Sequence, residues 1–141
     1  MQAACRRLMV IAAEDVGLAY PMIIPIVNAA VDMALKLGMP EARIPLAHAA
    51  MLLATSPKSN SAYMAVNEAM GDVEQGRGRN VPPHLQSPLF KGYQYPHDYP
   101  NHYVAQTYLP EDLKNKQYYR YGDNKMEEAA KQYADKIKGK Q

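Results

Sequence analysis

Apolar side chains recur every three or four residues along the first half of this 141-residue chain, with polar side chains between them. This spacing places them on one side of an α-helix, so the pattern predicts amphipathic helices rather than strands. Glycine, proline and capping residues divide the pattern into four helices, expected over Gln2–Glu14, from near Pro21 to Leu37, over Ala42–Ala54, and from the Ser56–Asn60 segment to about Gln75. Because the connections are short, neighbouring helices should form antiparallel hairpins. The expected fold class is all-α.

The apolar face of each helix is predicted to be its buried face. The start of the second helix has two interpretations: because Pro25 follows Pro21, the helix either begins near Ile24 or is kinked in its first turn. A fifth helix is expected over Asn124–Lys138, with Glu127 and Lys131 as an exposed ion pair. The predicted inward positions of the fourth helix are Tyr63, Val66, Ala69, Met70 and Val73, and those of the fifth are Met126, Ala129, Ala130, Tyr133, Ala134 and Ile137.

Between these helices the periodic pattern stops. Residues 93–121 hold eight of the eleven tyrosines together with Pro96, Pro100 and Pro110. Proline lacks a backbone donor and fixes its own φ, so this stretch cannot form a regular helix, and its amphipathic rings should lie on another surface. We therefore predict one domain with a helical core (1–76), a Tyr/Pro-rich arm (77–123) and a C-terminal helix (124–141). The arm is expected to pack on the core or on a neighbouring subunit.

Charge is unevenly distributed along the chain. The total is +2, but residues 1–75 sum to −2 and residues 76–141 to +4, so an anionic partner should meet the second half. Cations and tyrosines of the arm could contact phosphates and stack on bases; alternatively, the rings pack on the helices and the cations are solvated. The candidate DNA contacts are Arg77, Arg79, Lys91, Lys114, Lys116 and Arg120, and the candidates for stacking or for a subunit interface are Tyr93, Tyr95, Tyr99 and Tyr103.

Residues suited to catalysis are sparse in this sequence. It contains no phosphate-binding glycine loop and no dinucleotide fingerprint, so we expect no nucleotide cofactor, metal or catalytic residue in this chain. A metal site at His97, Asp98 and His102 is an alternative, but the spacing lacks the tight ligand pairs of zinc sites and favours histidines that hydrogen-bond loop backbone. Cys5 is expected to be a small buried helix residue. The longest apolar run is too short and too interrupted to span a bilayer.

Five unusual blocks of sequence resemble one known family. They are RRLMVIAAEDVGLA (Arg6–Ala19), GMPEARIPLAHAAMLLATSPKSNSAY (Gly38–Tyr63), VPPHLQ (Val81–Gln86), YPHDYPNHYVAQTYLPEDL (Tyr95–Leu113) and QYYRYGDN (Gln117–Asn124). Together they resemble the C-terminal region of the replication-associated recombination protein A family, bacterial AAA+ ATPases related to clamp loaders and to Werner-helicase-interacting protein. The resemblance implies a clamp-loader-type post-AAA+ oligomerisation domain built from helical hairpins.

The same resemblance implies where this domain acts and with what. Family members assemble as homotetramers, and the full-length protein is associated with stalled replication forks, DNA and single-strand-binding protein in the cytoplasm, at the nucleoid, with no membrane. ATP and Mg²⁺ are expected in an N-terminal ATPase module, and a helix that starts at Gln2 without a capping residue is consistent with a chain cut from a longer one. No catalytic residue of the family falls on this chain.

The expected main function is therefore homo-oligomerisation through the Ala/Met-rich helix faces and the arm, holding AAA+ modules in a fixed array. The alternative is a DNA-binding module that uses the basic, tyrosine-rich loop surface. Family members usually carry a longer Gly/Lys-rich stretch where only Ser87–Lys91 intervenes here. Either this member is shorter, or its sequence lacks a mobile segment.

Overall fold

The computed structural model describes residues 1–88 and 90–139. Within these residues the chain forms α-helices and short helical turns and no β-strand, which confirms the all-α expectation. The helices are α1 (Gln2–Ile11), α2 (Ile23–Leu37), α3 (Arg43–Thr55), α4 (Ser61–Glu74) and α5 (Lys125–Ile137). The Ser87–Lys91 connection and the end of the predicted C-terminal segment include positions 89, 140 and 141, which lie outside the described residues.

The end of the first helix is wound differently from the prediction. After Ile11 the backbone widens into a π-helical turn over Ala12–Val16, and a 3-10 turn over Gly17–Ala19 follows. Gly17 has a φ of +47°, and a Cβ there would lie 2.8 Å from the carbonyl oxygen of Ser59. Only glycine tolerates both this backbone conformation and this close approach, so Gly17 allows the α3–α4 connection to pack against the end of α1.

Helix α2 follows the first of its two predicted interpretations. It begins at Ile23, so Pro25 lies in the first turn, where the donor that proline lacks has no partner within the helix. Gly38 ends the helix with a φ of +70°, as the sequence indicated. The α2 helix presents one buried face, made by Ile23, Val27, Val31 and Ala34.

The chain forms two compact units. The first comprises Met1–Met64 and Tyr119–Ala129, and the second comprises Ala65–Tyr118 and residues 130–139. In the first unit α1, α2 and α3 enclose an aliphatic core, in which Cys5 is buried as predicted. The other buried members of that core are Ala12, Val16, Ile23, Val27, Val31, Ala49 and Leu53. The second unit contains most of α4, the end of α5 and four short 3-10 turns, at Pro83–Leu85, Pro96–Asp98, Pro100–His102 and Glu111–Leu113.

The predicted inward faces of α4 and α5 are wrong for most of their large apolar residues. Tyr63, Val66, Met70, Val73, Met126 and Tyr133 are exposed, by 40% to 65%, whereas Ala69, Ala134 and Ile137 are half-buried. The buried positions are acidic instead: Asp72 on α4 is 4% exposed and Glu127 on α5 is 1% exposed. The predicted exposed pair between Glu127 and Lys131 is therefore also wrong. Each carboxylate is buried because hydrogen-bond donors surround it, which hydrophobic periodicity does not reveal.

Candidate functional site

An open apolar groove of about 830 Å³ lies between α2 and α3 in the first unit. Its floor includes Ala29, Ala30 and Ala49, whose small side chains leave the space between the two helices unfilled. Larger apolar side chains line the same groove and are more than half exposed: Met33, Leu37, Ile44 and Met51. A single exposed apolar residue is ordinary, but a contiguous set around a groove is typical of an interaction site.

The second unit is organised around the buried carboxylate of Asp72. Three groups converge on it: Arg77 Nη1 at 2.7 Å, Lys116 Nζ at 3.1 Å, and the Tyr118 hydroxyl, which donates at 2.8 Å. The hydrogen bond from Tyr118 lowers the pKa of Asp72; burial opposes it, and Lys116 and Arg77 lower the pKa further. Burial, together with the bond to Asp72, raises the pKa of Tyr118. The carboxylate is therefore ionised and ties three segments of this unit together.

Arg77 makes further bonds within the second unit. Its Nη2 donates to the carbonyl oxygen of Asp112 at 2.9 Å, and the Gly78 N–H donates to the Asp112 carboxylate at 2.9 Å. Lys116 also lies 3.5 Å from a Glu68 carboxylate oxygen. The structure thus brings two of the six predicted DNA-contact cations, Arg77 and Lys116, to one carboxylate, where their charges support the fold. Contact of these residues with DNA stays a prediction.

The other predicted cations lie at the surface. Lys114 pairs with Glu111 one turn away, and Arg79 folds its guanidinium over Gly76, where a Cβ would lie 3.2 Å from Nη2. Lys91 and Arg120 are exposed, Lys91 in the second unit and Arg120 in the first. Exposed charges such as Arg79 and Lys91 suit transient contact with phosphates better than the cations around Asp72 do.

Three rings of the arm lie in contact at tilted angles and form what we call the aromatic ladder, made of Tyr95, His97 and His102. The Tyr95 and His97 ring centroids are 5.1 Å apart and those of His97 and His102 are 4.8 Å apart. All three side chains are exposed, Tyr95 by 54%. Of the other predicted tyrosines, Tyr93 and Tyr99 are each 38% exposed and Tyr103 is half-buried. The sequence indicated the tyrosines as candidates, but the contact between the two histidine rings depends on the geometry of the turns.

Two consecutive 3-10 turns hold the aromatic ladder in place. The N–H of Asp98 donates to the Tyr95 carbonyl oxygen, and the N–H of His102 donates to that of Tyr99, both at 3.0 Å. Asn101 and His102 have φ values of 58° and 52°, a left-handed conformation that costs on the order of 1 kcal/mol for a residue with a Cβ. This uncommon backbone conformation sets the path of the chain where the His102 ring contacts the His97 ring.

A second buried carboxylate, Glu127, fixes the start of α5 in the first unit. The hydroxyl of Tyr119 donates to it at 2.8 Å and the Asn124 side-chain amide at 2.6 Å. Burial alone raises the pKa of Glu127, but hydrogen bonds from the Ser59 hydroxyl, Asn124, the Gly122 backbone and Tyr119 together lower it to about 2. A Cβ on Gly122 would lie 2.5 Å from the carboxylate, so glycine is required there.

The sequence carried a local signal for this carboxylate. Asn124 caps α5, because its side-chain oxygen accepts the Glu127 N–H at 3.0 Å, and Glu127 reaches back toward the cap. An Asn followed three residues later by Glu is the pattern of a capping box. That motif, rather than the spacing of apolar residues, indicates which side of α5 is buried.

The histidines and the remaining acids form no metal-binding group in the part of the chain that the structure describes: no cluster of three or more His, Cys, Asp or Glu side chains is present there. His84 hydrogen-bonds loop backbone, since its Nε2 lies 2.7 Å from the Thr107 carbonyl oxygen. None of the helices over residues 1–88 and 90–139 is long and apolar enough to cross a membrane.

Comparison with known proteins gives consistent matches. Replication-associated recombination protein A of Bacillus subtilis is 48% identical, over 97% of this chain and 35% of its own length. The protein of the same name from Haemophilus influenzae is 36% identical, over 94% of this chain and 32% of its own. ATPase WRNIP1 of Dictyostelium discoideum is 33% identical, over 82% of this chain and 14% of its own. The chain thus spans about a third or less of the length of these relatives.

Residues 1–138 also match the family described as MgsA AAA+ ATPase C terminal. The match covers nearly the whole chain, including both compact units, the aromatic ladder and the two buried carboxylates. The resemblance inferred from the five sequence blocks is therefore confirmed, and the chain belongs to the MgsA AAA+ ATPase family, as its C-terminal region.

Proposed function

We propose that this chain is the assembly module of a AAA+ ATPase acting in replication-associated recombination, and that it joins copies of itself into a homotetramer. The observation that carries this proposal is the open groove of about 830 Å³ between α2 and α3. The names of the relatives support the cellular process, and the apolar lining of the groove supports a protein partner.

The chemistry of the groove favours a second copy of the same chain as its occupant. Apart from Glu41 and His48 its lining has no ionisable side chain, so covering it requires little desolvation of charge. Alanines on the floor permit close approach of a helix, and methionines on the rim adapt to the partner's shape. In a symmetric dimer contact the same patch meets itself, so one apolar surface supplies both sides. The exposed apolar faces of α4 and the tyrosines of the arm provide further contact area for larger assemblies.

We propose that the remaining activities belong to a longer protein of which this chain is the C-terminal region. ATP and Mg²⁺ would be bound by a separate ATPase module, and this chain would contribute no catalytic residue and no cofactor site. Single-strand-binding protein and DNA would be partners of the full-length protein, which would act in the cytoplasm at the nucleoid. The AAA+ description of the family supports the separate ATPase module, and the names of the relatives support a role in replication-associated recombination.

The test of assembly compares two matched methionine variants. Met33 lines the groove and is 52% exposed, whereas Met126 lies on α5 and is 53% exposed. We expect Met33→Glu to reduce the mass measured by light scattering to that of at most two 15.8 kDa chains, because contacts outside the groove remain, and Met126→Glu to leave the assembly intact. An unmodified chain that is a strict monomer at roughly tens of micromolar, where interfaces of about 1,500 Å² hold, would overturn the proposal. Disassembly by Met126→Glu but not Met33→Glu would instead place the interface at α5.

A second candidate function, contact with DNA, is favoured by the exposed aromatic ladder and by the exposed cations Arg79 and Lys91. Phosphate contacts release counterions, so affinity for a single-stranded oligonucleotide should fall steeply between two salt concentrations. Titration at low salt with no binding would overturn this candidate. Replacement of Arg79 and Lys91 by Gln should make the slope of log affinity against log salt concentration shallower by about one to two.

A further inference from the structure

We propose that the aromatic ladder of Tyr95, His97 and His102 is a stacking platform for an unpaired base of single-stranded nucleic acid. This inference rests on the proposed contact with DNA and names the residues and the part of the ligand that they bind. The ladder differs from the basic residues of the arm because it would hold the base and not the phosphate.

The geometry of the ladder suits a base. Its ring centroids are 5.1 Å and 4.8 Å apart with interplanar angles of 44° and 46°, so the three rings form a continuous series. All three side chains remain exposed instead of packing into a core. Every base presents a flat π-face that can stack on an aromatic side chain, so such stacking does not depend on the base sequence.

The platform is organised before any ligand arrives. Pro96 and Pro100 each open a 3-10 turn, and the N–H groups of Asp98 and His102 close those turns at 3.0 Å. Asn101 and His102 stay in the left-handed region, which a free loop would abandon. Gln106 braces the preceding residue, since its side-chain amide both donates to and accepts from the Gln94 backbone at 2.7 and 3.2 Å. A rigid loop loses little entropy on binding.

The composition of the ladder favours a nucleobase over an apolar protein segment. Two of the three rings are imidazoles, whose nitrogen atoms need hydrogen-bond partners when they are covered. The polar edge of a base supplies such partners, whereas an aliphatic side chain does not. Asp98 lies in the same turn and its negative charge disfavours a phosphate there. The ladder is therefore assigned to the base, and the phosphates to exposed cations elsewhere.

The experiment uses the 141-residue chain and a single-stranded oligonucleotide that contains 2-aminopurine, whose fluorescence falls when it stacks on a ring. We expect the unmodified chain to quench this fluorescence on binding. His97→Leu removes the central ring and should weaken binding by roughly 5- to 100-fold while abolishing the quenching. His102→Gln keeps a polar side chain without the ring and should act in the same direction. The dependence of affinity on salt should not change in either variant, because no phosphate contact is lost.

One control separates stacking from a general effect on the fold. Tyr133→Leu removes a 64% exposed tyrosine outside the ladder and should bind and quench as the unmodified chain does. Circular dichroism shows whether each variant keeps its helices. If His97→Leu loses helical structure, the His102→Gln result tests the ladder assignment in its place.

The outcomes separate this inference from the proposed DNA contact. If the unmodified chain binds the oligonucleotide but both ladder variants bind and quench equally well, the ladder assignment is wrong and the DNA contact stands. If the unmodified chain does not bind at low salt, the DNA contact itself fails and the ladder with it. If the variants weaken self-association in light scattering while oligonucleotide binding is unchanged, the ladder belongs to a subunit interface, which also overturns the assignment.

Discussion

The two compact units are stabilised by different kinds of interaction. The first contains an aliphatic core in which Val16, Ile23 and Val27 are at most 1% exposed. In the second, among the described residues, the buried apolar side chain is Leu113, and the centre is the carboxylate of Asp72 with its three donors. Aliphatic packing is non-directional and tolerates substitutions of similar volume, whereas a buried carboxylate depends on each donor. Sequence patterns therefore predict the first kind of region well and the second kind poorly.

The largest effect is expected from deleting volume in the aliphatic core. Ile23 is fully buried, so Ile23→Ala should lower the free energy of unfolding by about 3 kcal/mol through lost burial and a residual cavity. Its neighbour Ile24 is 49% exposed and provides a matched control, for which Ile24→Ala should cost less than about 0.5 kcal/mol. Urea denaturation of both variants measures the difference. Equal losses would show that the core is not the main source of stability in this unit.

The second-largest effect on the free energy of unfolding is expected at Glu127, the buried carboxylate at the start of α5. Glu127→Gln keeps the shape but turns an acceptor into an amide whose N–H₂ faces the donors of Tyr119 and Asn124. We expect a loss of about 2 kcal/mol, within the usual range for a buried group left without its partner. Glu128→Gln, at the adjacent exposed position, should change stability by less than about 0.5 kcal/mol in the same urea experiment. Similar small losses for both would mean that Glu127 is not needed as an anion.

The same carboxylate predicts a dependence of stability on pH. Hydrogen bonds outweigh burial and hold the pKa of Glu127 at about 2 in the folded chain, below its ordinary value of 4.5. Its contribution is therefore complete above pH 4.5 and is lost as the pH falls toward 2. The shift corresponds to about 3 kcal/mol, which solvent screening reduces to on the order of 2 kcal/mol. Thermal unfolding followed between these pH values should show a shallower decline for Glu127→Gln; identical curves for the two proteins would contradict the assigned pKa.

The smallest effect on the overall free energy of unfolding is expected from a substitution at Asp72. Asp72→Asn weakens the hydrogen bond from Tyr118 and removes the charge that pairs with Arg77 and Lys116. Because the second unit has little buried apolar surface, we expect a local opening: the Gly78 amide, which is bonded to Asp112, should exchange its hydrogen faster. Amides of α2 should exchange as before. Faster exchange throughout α2 would instead show that the two kinds of region unfold together.

Prediction succeeded or failed for identifiable reasons. The spacing of apolar residues predicted the ends of α2 and α3, a glycine predicted the stop at Gly38, and residue type predicted the burial of Cys5. All three are local properties of the sequence. The inward faces of α4 and α5 were wrong because their buried residues are acids. The hydroxyl that bonds Asp72 comes from Tyr118, 46 positions later, and no local pattern indicates that partner. For Glu127 the Asn124 cap was a usable local signal.

The candidate sites divide in the same way. The Ala/Met-rich composition of α2 and α3 indicated an interaction face, and the structure shows the groove that these residues line. Arg77 and Lys116 were grouped with the other cations because charge is visible in a sequence, but their pairing with Asp72 is not. His97 and His102 were considered as ligands of a metal, and only the two turns of the arm bring their rings to 4.8 Å.

By itself, the sequence determined the class of fold, the helical segments of the first unit and membership of the family, because these depend on residue type, local spacing and the order of long blocks. Tertiary structure alone decided which faces of α4 and α5 are buried, which cations are held in ion pairs and which aromatic rings are in contact. The physical reason is that burial of a charge and contact between rings depend on partners brought together by folding, and their energies have no counterpart in local composition.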